Sequence, residues 1–434
     1  MSQVSIWPNV EPTSASYARL SAANCLHNQR VVGRGAMMAG AGWGATIDPT
    51  SQRCRDLVWR EYLLPNYVNQ GVRSFWLDET EMQSGQSRHA WPICIMQSSL
   101  GAKIARRAIQ RAVILGDTSF HLSCLPPSNN PVLLPVASTG MDTSLGPAAA
   151  YGNYWPNAWI QLVSDGLVSS GTASPITLTR AVWAGAARLG TVLWSSDIWS
   201  TFEELAAQVP EGVAASLSGI PYWTTDTGGF GCPMAPYDND SPYMRELIVR
   251  WHQFGVMCPV YRTHGCRNGS KETLPADSPC TAGQGPQGSC GGNEIWSYGP
   301  EVEVILTRLV RLRNDVLKDY VLELAVNVSR DGVATMRPLW YEFPADPLAW
   351  TADETLFMLG PKYLVAPVVA LGQRTRTVYF PAGSAWADWE NSTQLHCAGP
   401  TGLTVTVPAP LEKLLVFQRL PSCSPPTAVP QRLS

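Results

Sequence analysis

Charged residues recur at the ends of short apolar runs in this chain. "SFWLD" ends at Asp78, "TVLWSSD" at Asp197 and "IPYWTTD" at Asp226, while "ITLTR" ends in a cation, Arg180. A further run, "PVYRTH", contributes Arg262 and His264. Taken singly, an Asp in such a place starts a turn or caps a helix, and Asp197, just ahead of a helical stretch, could be no more than a cap. Together, and interleaved with Trp76, Trp194, Trp223 and Phe230, these residues are harder to dismiss. Two facing carboxylates beside aromatic platforms are what cleavage of a glycosidic bond requires. One attacks or stabilises the sugar carbon, and the other protonates the leaving oxygen. "FWLDETE" poses the question most sharply, since an apolar strand runs directly into Asp78, Glu79 and Glu81.

Residues converging from distant positions need a scaffold that brings strand ends together. "DPTSQRCRDLVWREYLLPNYVNQ" reads as a capped amphipathic helix leading to the strand "GVRSFWLD". A helix around "NAWIQLVSDGL" then precedes the strands "ITLTRA" and "GTVLWSSD". The helix "STFEELAAQVPEGVAASL", the strand "GIPYWTTD" and the helix "YMRELIVRWHQF" follow. A long helix, "GPEVEVILTRLVRLRNDVLKDYVLELA", runs into an expected strand at "RPLWYEFP". Strand–helix alternation at this spacing predicts an α/β fold, a parallel (β/α)8 TIM-type barrel, whose active site is built at the C-terminal strand ends. From about residue 358 apolar and polar residues alternate between turn signals, which predicts a small antiparallel β domain. The expected domains are a catalytic barrel over 1–357, with insertions at 83–150 and 266–293, a β domain over 358–420 and a disordered tail over 421–434. The first 40 residues carry little pattern.

Composition narrows the classes. With 45% hydrophobic and 15% charged residues in 434, the chain can build a large core, and general disorder is excluded. A formal net charge of −3 without a basic run argues against nucleic acid or an anionic membrane as a partner. No apolar stretch of about 18 residues predicts a membrane span, and the start lacks the features of a signal peptide. The 6 His form no HExxH-type pair, and His264 and Asp226 lack ligand spacing, so no metal or cofactor is expected. Of the 11 Cys, Cys258, Cys266, Cys280 and Cys290 cluster at a Gly/Pro/Ser-rich loop. At least one bridge among these four is expected if the protein matures in an oxidising compartment. Three sequons, at Asn268, Asn327 and Asn391, permit a secretory route without showing one, and the compartment and oligomeric state stay open.

The segments "GVRSFWLDETE", "ITLTRAVWAGAARLGTVLWSSDIWSTFEEL", "SLSGIPYWTTDTGGF", "RWHQFGVMCPVYRTHG", "EIWSYGPEVE" and "FMLGPKYLVAPV" occur in this order. The chain resembles glycoside hydrolase family 31, the α-glucosidase and α-xylosidase family, over roughly residues 45 to 420. The resemblance implies a retaining exo-α-glycosidase acting on terminal α-linked xylose or glucose in oligosaccharides. It implies Asp78 as nucleophile with Glu81 supporting it, and Asp197 as acid/base. Arg180 and His264 would bond the bound sugar, Asp226 would brace the site, and Trp76, Trp194 and Phe230 would wall it. "GIPYWTTDTGGF" and "YRTHG" look closer to the α-xylosidase-like members. Ser196 stands where the family has Gly, which is harmless unless the backbone there needs a positive φ. The resemblance finds no counterpart for the first barrel strands before residue 45, which predicts a barrel incomplete on its N-terminal side. The strands holding "FWLDETE" and "RPLWYEFP" are then expected as open edges. The rival expectation is a truncated or degenerate member without activity, at most binding carbohydrate.

Overall fold

The computed structural model describes residues 3–10, 13–31, 44–78, 80, 142–230, 239–265 and 292–424. Two compact units divide the chain, Met1–Trp194 and Ser195–Ser434.

In the first unit four parallel strands lie in the order Val4–Ile6, Ser74–Leu77, Ile176–Thr179 and Thr191–Trp194. The helices between them follow their sequence signals. Ser51 caps Gln52–Val58, its hydroxyl accepting the Cys54 N–H. Trp155–Ser169 covers the sheet with Trp155, Trp159 and Ile160 fully buried. Gly166 on that helix is obligatory, because a Cβ there would sit 2.1 Å from the Trp59 ring. These side chains, with Phe75 and Leu77, form one apolar cluster. It holds the sheet flat against its helices and leaves the polar strand ends to project past the core.

The first strand corrects the expectation of an open edge. Val4–Ile6 pairs with Phe75–Leu77 along its whole length, and Gln3 reinforces the pairing by donating to the Ser74 hydroxyl and the Phe75 carbonyl. A three-residue strand is too short to show a period, so its pairing could not be read from the sequence. The segment 13–31, expected to be patternless, contains the helix Ala15–Ala22, and Cys25 forms a disulfide with Cys54 across 5.4 Å between Cα atoms.

The second unit carries the helices Phe202–Leu217, Pro242–Gly255 and Pro300–Arg311. Its C-terminal part is antiparallel, as expected. Six strands run in the order Met336–Arg337, Phe357–Leu359, Tyr363–Val365, Val416–Leu420, Ala385–Asp388 and Leu395–Cys397, beside the pair Thr375–Phe380 and Leu403–Pro408. "RPLWYEFP" is not the expected barrel strand. Only Met336–Arg337 is extended, and it pairs antiparallel with Met358–Leu359. Pro338, which lacks an N–H, ends the ladder there and starts the short helix Leu339–Glu342. Arg250, wholly buried on Pro242–Gly255, donates to the carbonyls of Gln373, Ala409 and Pro410. It thereby ties that helix to the C-terminal strands.

Of the four clustered cysteines only Cys258 lies among the described residues. The described disulfides are Cys25–Cys54 and Cys397–Cys423, whereas Cys258 is a buried free thiol. Cys266, Cys280 and Cys290 lie outside the described residues, as do 83–141 and 266–291 of the two expected insertions. Spacing alone cannot name partners that only the fold brings together. Among the described residues no helix is long and apolar enough to cross a membrane.

Candidate active site

In the first unit the parallel register does most of the positioning. Leu77 lies opposite Thr179, so the next residue on each strand, Asp78 and Arg180, emerge side by side. The Arg180 N–H donates to the Leu77 carbonyl and the Asp78 N–H to the Ile6 carbonyl, which fixes both main chains at the sheet's end. Arg180 Nη1 then donates to Asp78 Oδ1 at 3.3 Å. The Arg180 side chain is 2% exposed and that of Asp78 18%, so the carboxylate can be reached from outside while the guanidinium behind it cannot. Thr80 is tied to the neighbouring strand end as well, since the Ala181 N–H donates to its hydroxyl at 3.0 Å. Trp76, two residues before Asp78 and therefore on the same face of the strand, meets Trp194 edge to face, with ring centroids 5.5 Å apart. Four of the expected residues, Trp76, Asp78, Arg180 and Trp194, are thus brought together. Glu81 lies outside the described residues.

In the second unit Asp197 leaves "WSSD" ahead of Phe202–Leu217. The cap of that helix is not Asp197 but Thr201, whose hydroxyl accepts the Glu204 N–H at 3.1 Å. Ser196 has φ +66, the left-handed region that favours glycine, and its buried hydroxyl has no hydrogen-bond partner among the described residues. Holding a non-glycine residue there costs of order 1 kcal/mol or more. Ser196→Gly is therefore expected to stabilise the protein by about 1 kcal/mol, a rise of roughly 2 °C in Tm for a large domain. A thermal melt showing no gain would mean that the Ser196 backbone is not strained.

Asp226 is fully buried and ion-paired with Arg262, a partner that the sequence offered only as another polar strand-end residue. A parallel bridge between Thr227 and Thr263 sets the two chains that carry the pair. Past Asp226, the Phe230 N–H donates to the Ile198 carbonyl at 2.8 Å, tying "DTGGF" to the Asp197 segment. Gly229, at φ +80, rides so close to Ser200 that a Cβ would come within 2.6 Å of its backbone. Phe230 stacks on His264, centroids 5.4 Å apart. Asp197, Asp226, Phe230 and His264 thus lie on segments that these contacts join.

Beneath Asp226 lies a polar network that sequence reading did not find. The Thr225 hydroxyl donates to Gln208 Oε1 and accepts from Trp251 Nε1, and Gln208 Nε2 donates to both Glu204 and Glu211. Burial first, and then the Glu204 carboxylate, push the Glu211 carboxyl well above its ordinary value of 4.5, against the opposing bond from Gln208. The folded protein thus keeps a proton that the unfolded chain releases as pH rises past 4.5. Stability from this group is accordingly present below that value and lost as pH climbs toward the raised one. Glu211→Gln, which cannot ionise, should gain on the wild type in Tm between pH 5 and pH 8. Parallel Tm profiles would contradict the assignment.

Parallel strands that end in an oriented carboxylate–guanidinium pair suit a TIM-barrel enzyme, whose site is built at the C-terminal strand ends. The model of the glycosyl hydrolases family 31 TIM-barrel domain matches residues 2–284, and that of the family's C-terminal domain matches residues 332–422. The chain belongs to glycosyl hydrolase family 31. The match begins at residue 2, so the expectation that nothing before residue 45 has a counterpart is wrong, in keeping with the strand Val4–Ile6. The alpha-xylosidase of Saccharolobus solfataricus is 25% identical over 406 residues, covering 93% of this chain and 43% of that protein. Alpha-xylosidase A of Aspergillus niger is 28% identical over 437 residues, covering 95% of this chain and 52% of that one. Among solved structures, a family 31 alpha-xylosidase from a soil metagenome, complexed with xylose, superposes with a TM-score of 0.72 at 30% identity, covering 97% of this chain and 53% of that one. The chain spans about half the length of the curated relatives it matches.

Proposed function

We propose that this chain carries a retaining exo-α-glycosidase activity that removes terminal α-linked xylose or glucose from oligosaccharides. The observation that carries this reading is the Asp78–Arg180 pair: a reachable carboxylate at a strand end, aimed by a buried cation. The Asp78 carboxylate attacks the anomeric carbon while Asp197 protonates the departing glycosidic oxygen, leaving a β-linked glycosyl-enzyme. Asp197 then takes a proton from water, which attacks the same carbon and releases the α-sugar. Arg180 and His264 bond the sugar hydroxyls, Asp226 braces the site, and Trp76, Trp194 and Phe230 wall it. A retaining mechanism asks for about 5–5.5 Å between the Asp78 and Asp197 carboxyls. Xylose is favoured over glucose by the relatives named alpha-xylosidase.

The test compares p-nitrophenyl α-xyloside with p-nitrophenyl α-glucoside on the purified chain. Turnover of either supports the reading, and a higher kcat/KM on the xyloside supports the narrower one. A second reading, a member that binds sugar without cleaving it, is favoured by one observation, the left-handed Ser196 next to Asp197. Under it both glycosides give no turnover, while xylose still binds by calorimetry.

A further inference from the structure

We propose that Ser195 is a positioning residue for the acid/base, its hydroxyl locking the peptide that carries Asp197 to the backbone of Asp226. The proposal rests on the glycosidase reading and deepens it. Ser195 is 4% exposed and its three polar contacts all point to the same junction. Its N–H donates to the Thr224 carbonyl at 3.1 Å. Its hydroxyl accepts the Asp226 N–H at 3.0 Å and donates to the Ser196 carbonyl at 3.3 Å. That carbonyl belongs to the peptide whose nitrogen is Asp197's, so the bond acts on the plane from which the Asp197 side chain is aimed. A hydroxyl has one hydrogen and two lone pairs; here the hydrogen serves the Asp197 side of the junction and a lone pair serves Asp226.

Two features make this restraint consequential. Ser196 holds φ +66, and a strained residue persists only where its surroundings over-determine it. The Ser195 hydroxyl supplies such a constraint one residue away. The far end of the link does not yield either. Thr225 is gripped by Gln208 and Trp251, and Asp226 by Arg262. Without the hydroxyl, the Asp226 N–H loses a buried acceptor and the Ser196 carbonyl a buried donor. The peptide is then free to turn, and a carboxyl displaced by about 1 Å can lose up to about a hundredfold in rate.

The experiment compares Ser195→Ala, Ser195→Thr and Ser195→Cys in the full chain. Ser195→Cys fills the site with a weak donor and weak acceptor and stands in should the alanine variant not fold. On an alkyl α-glycoside, whose leaving group needs the acid, Ser195→Ala is expected to lower kcat about tenfold with KM within about twofold. On a dinitrophenyl α-glycoside, whose leaving group does not, glycosyl transfer to the enzyme changes little. Ser195→Thr, which keeps the hydroxyl, restores most of the loss. Hydrogen exchange supplies a readout independent of turnover: amide protection at Asp197 and Asp226 falls in Ser195→Ala and is kept in Ser195→Thr. Unchanged protection overturns the proposal, and so does a kcat loss of equal size on both leaving groups. If the wild type turns over no α-glycoside, the glycosidase reading fails by itself, and exchange alone decides whether the hydroxyl makes the link.

Discussion

Asp78→Ala is expected to lower kcat on an aryl α-xyloside by about 10⁴-fold or more, because the proposed glycosyl-enzyme forms on that carboxylate. The loss must be separated from damage to the fold, since Arg180 is buried behind the carboxylate. Removing one member of a buried pair strands the other charge. Asp78→Asn answers that concern: its amide oxygen still accepts from Arg180 and its volume is unchanged, yet it is no longer a carboxylate nucleophile. Both variants should lose activity alike, with the alanine form losing more Tm than the asparagine form, which keeps the hydrogen bond. Azide then discriminates further. In the space left by alanine, azide attacks the α-glycoside directly from the opposite face, so Asp78→Ala with azide should regain activity and form the β-glycosyl azide. An equal loss of Tm in both variants, without rescue, would make Asp78 a structural anion.

Asp197→Ala should split by leaving group. General acid catalysis contributes about 10²–10⁴-fold, and it is needed only where the departing oxygen is basic. An alkyl α-glycoside should therefore lose about that factor in kcat/KM, while a dinitrophenyl α-glycoside loses little in the first step. Hydrolysis of the glycosyl-enzyme slows in both cases, because Asp197 also activates the water. Azide needs no such activation. It should accelerate the second step and give the α-glycosyl azide, opposite in configuration to the product from Asp78→Ala. A loss of the same size for both leaving groups would remove Asp197 from the acid/base role.

What the sequence disclosed followed from how locally each feature is encoded. The strand–helix alternation and the Ser51 cap were legible because periodicity and capping act over a few residues. So were the polar strand ends: "SFWLD" and "ITLTR" place Asp78 and Arg180 one residue beyond their ladders, and a parallel register is enough to join them. The strand Val4–Ile6 was not legible, because its extended form comes from pairing with Phe75–Leu77 and not from its own pattern. "RPLWYEFP" misled for the converse reason: its β-forming residues are overridden by Pro338, and its neighbours join the C-terminal sheet. Cys25–Cys54 and the Gln208–Thr225 network depend on tertiary proximity alone. Ser196 falls between these cases. The family's glycine marked the position, but only the backbone angle showed that serine is strained there.

The central claim is that Asp78 becomes covalently bonded to the sugar. A 5-fluoro α-glycosyl fluoride tests it most directly, because the ring fluorine slows both steps while the fluoride leaving group lets the first proceed. Intact-protein mass spectrometry should show the addition of one fluoroglycosyl group, and peptide sequencing should place it on Asp78. Removal of the reagent should let the label turn over with recovery of activity. Labelling of any other carboxylate, or the absence of a label with a substrate that the chain otherwise hydrolyses, would contradict the account.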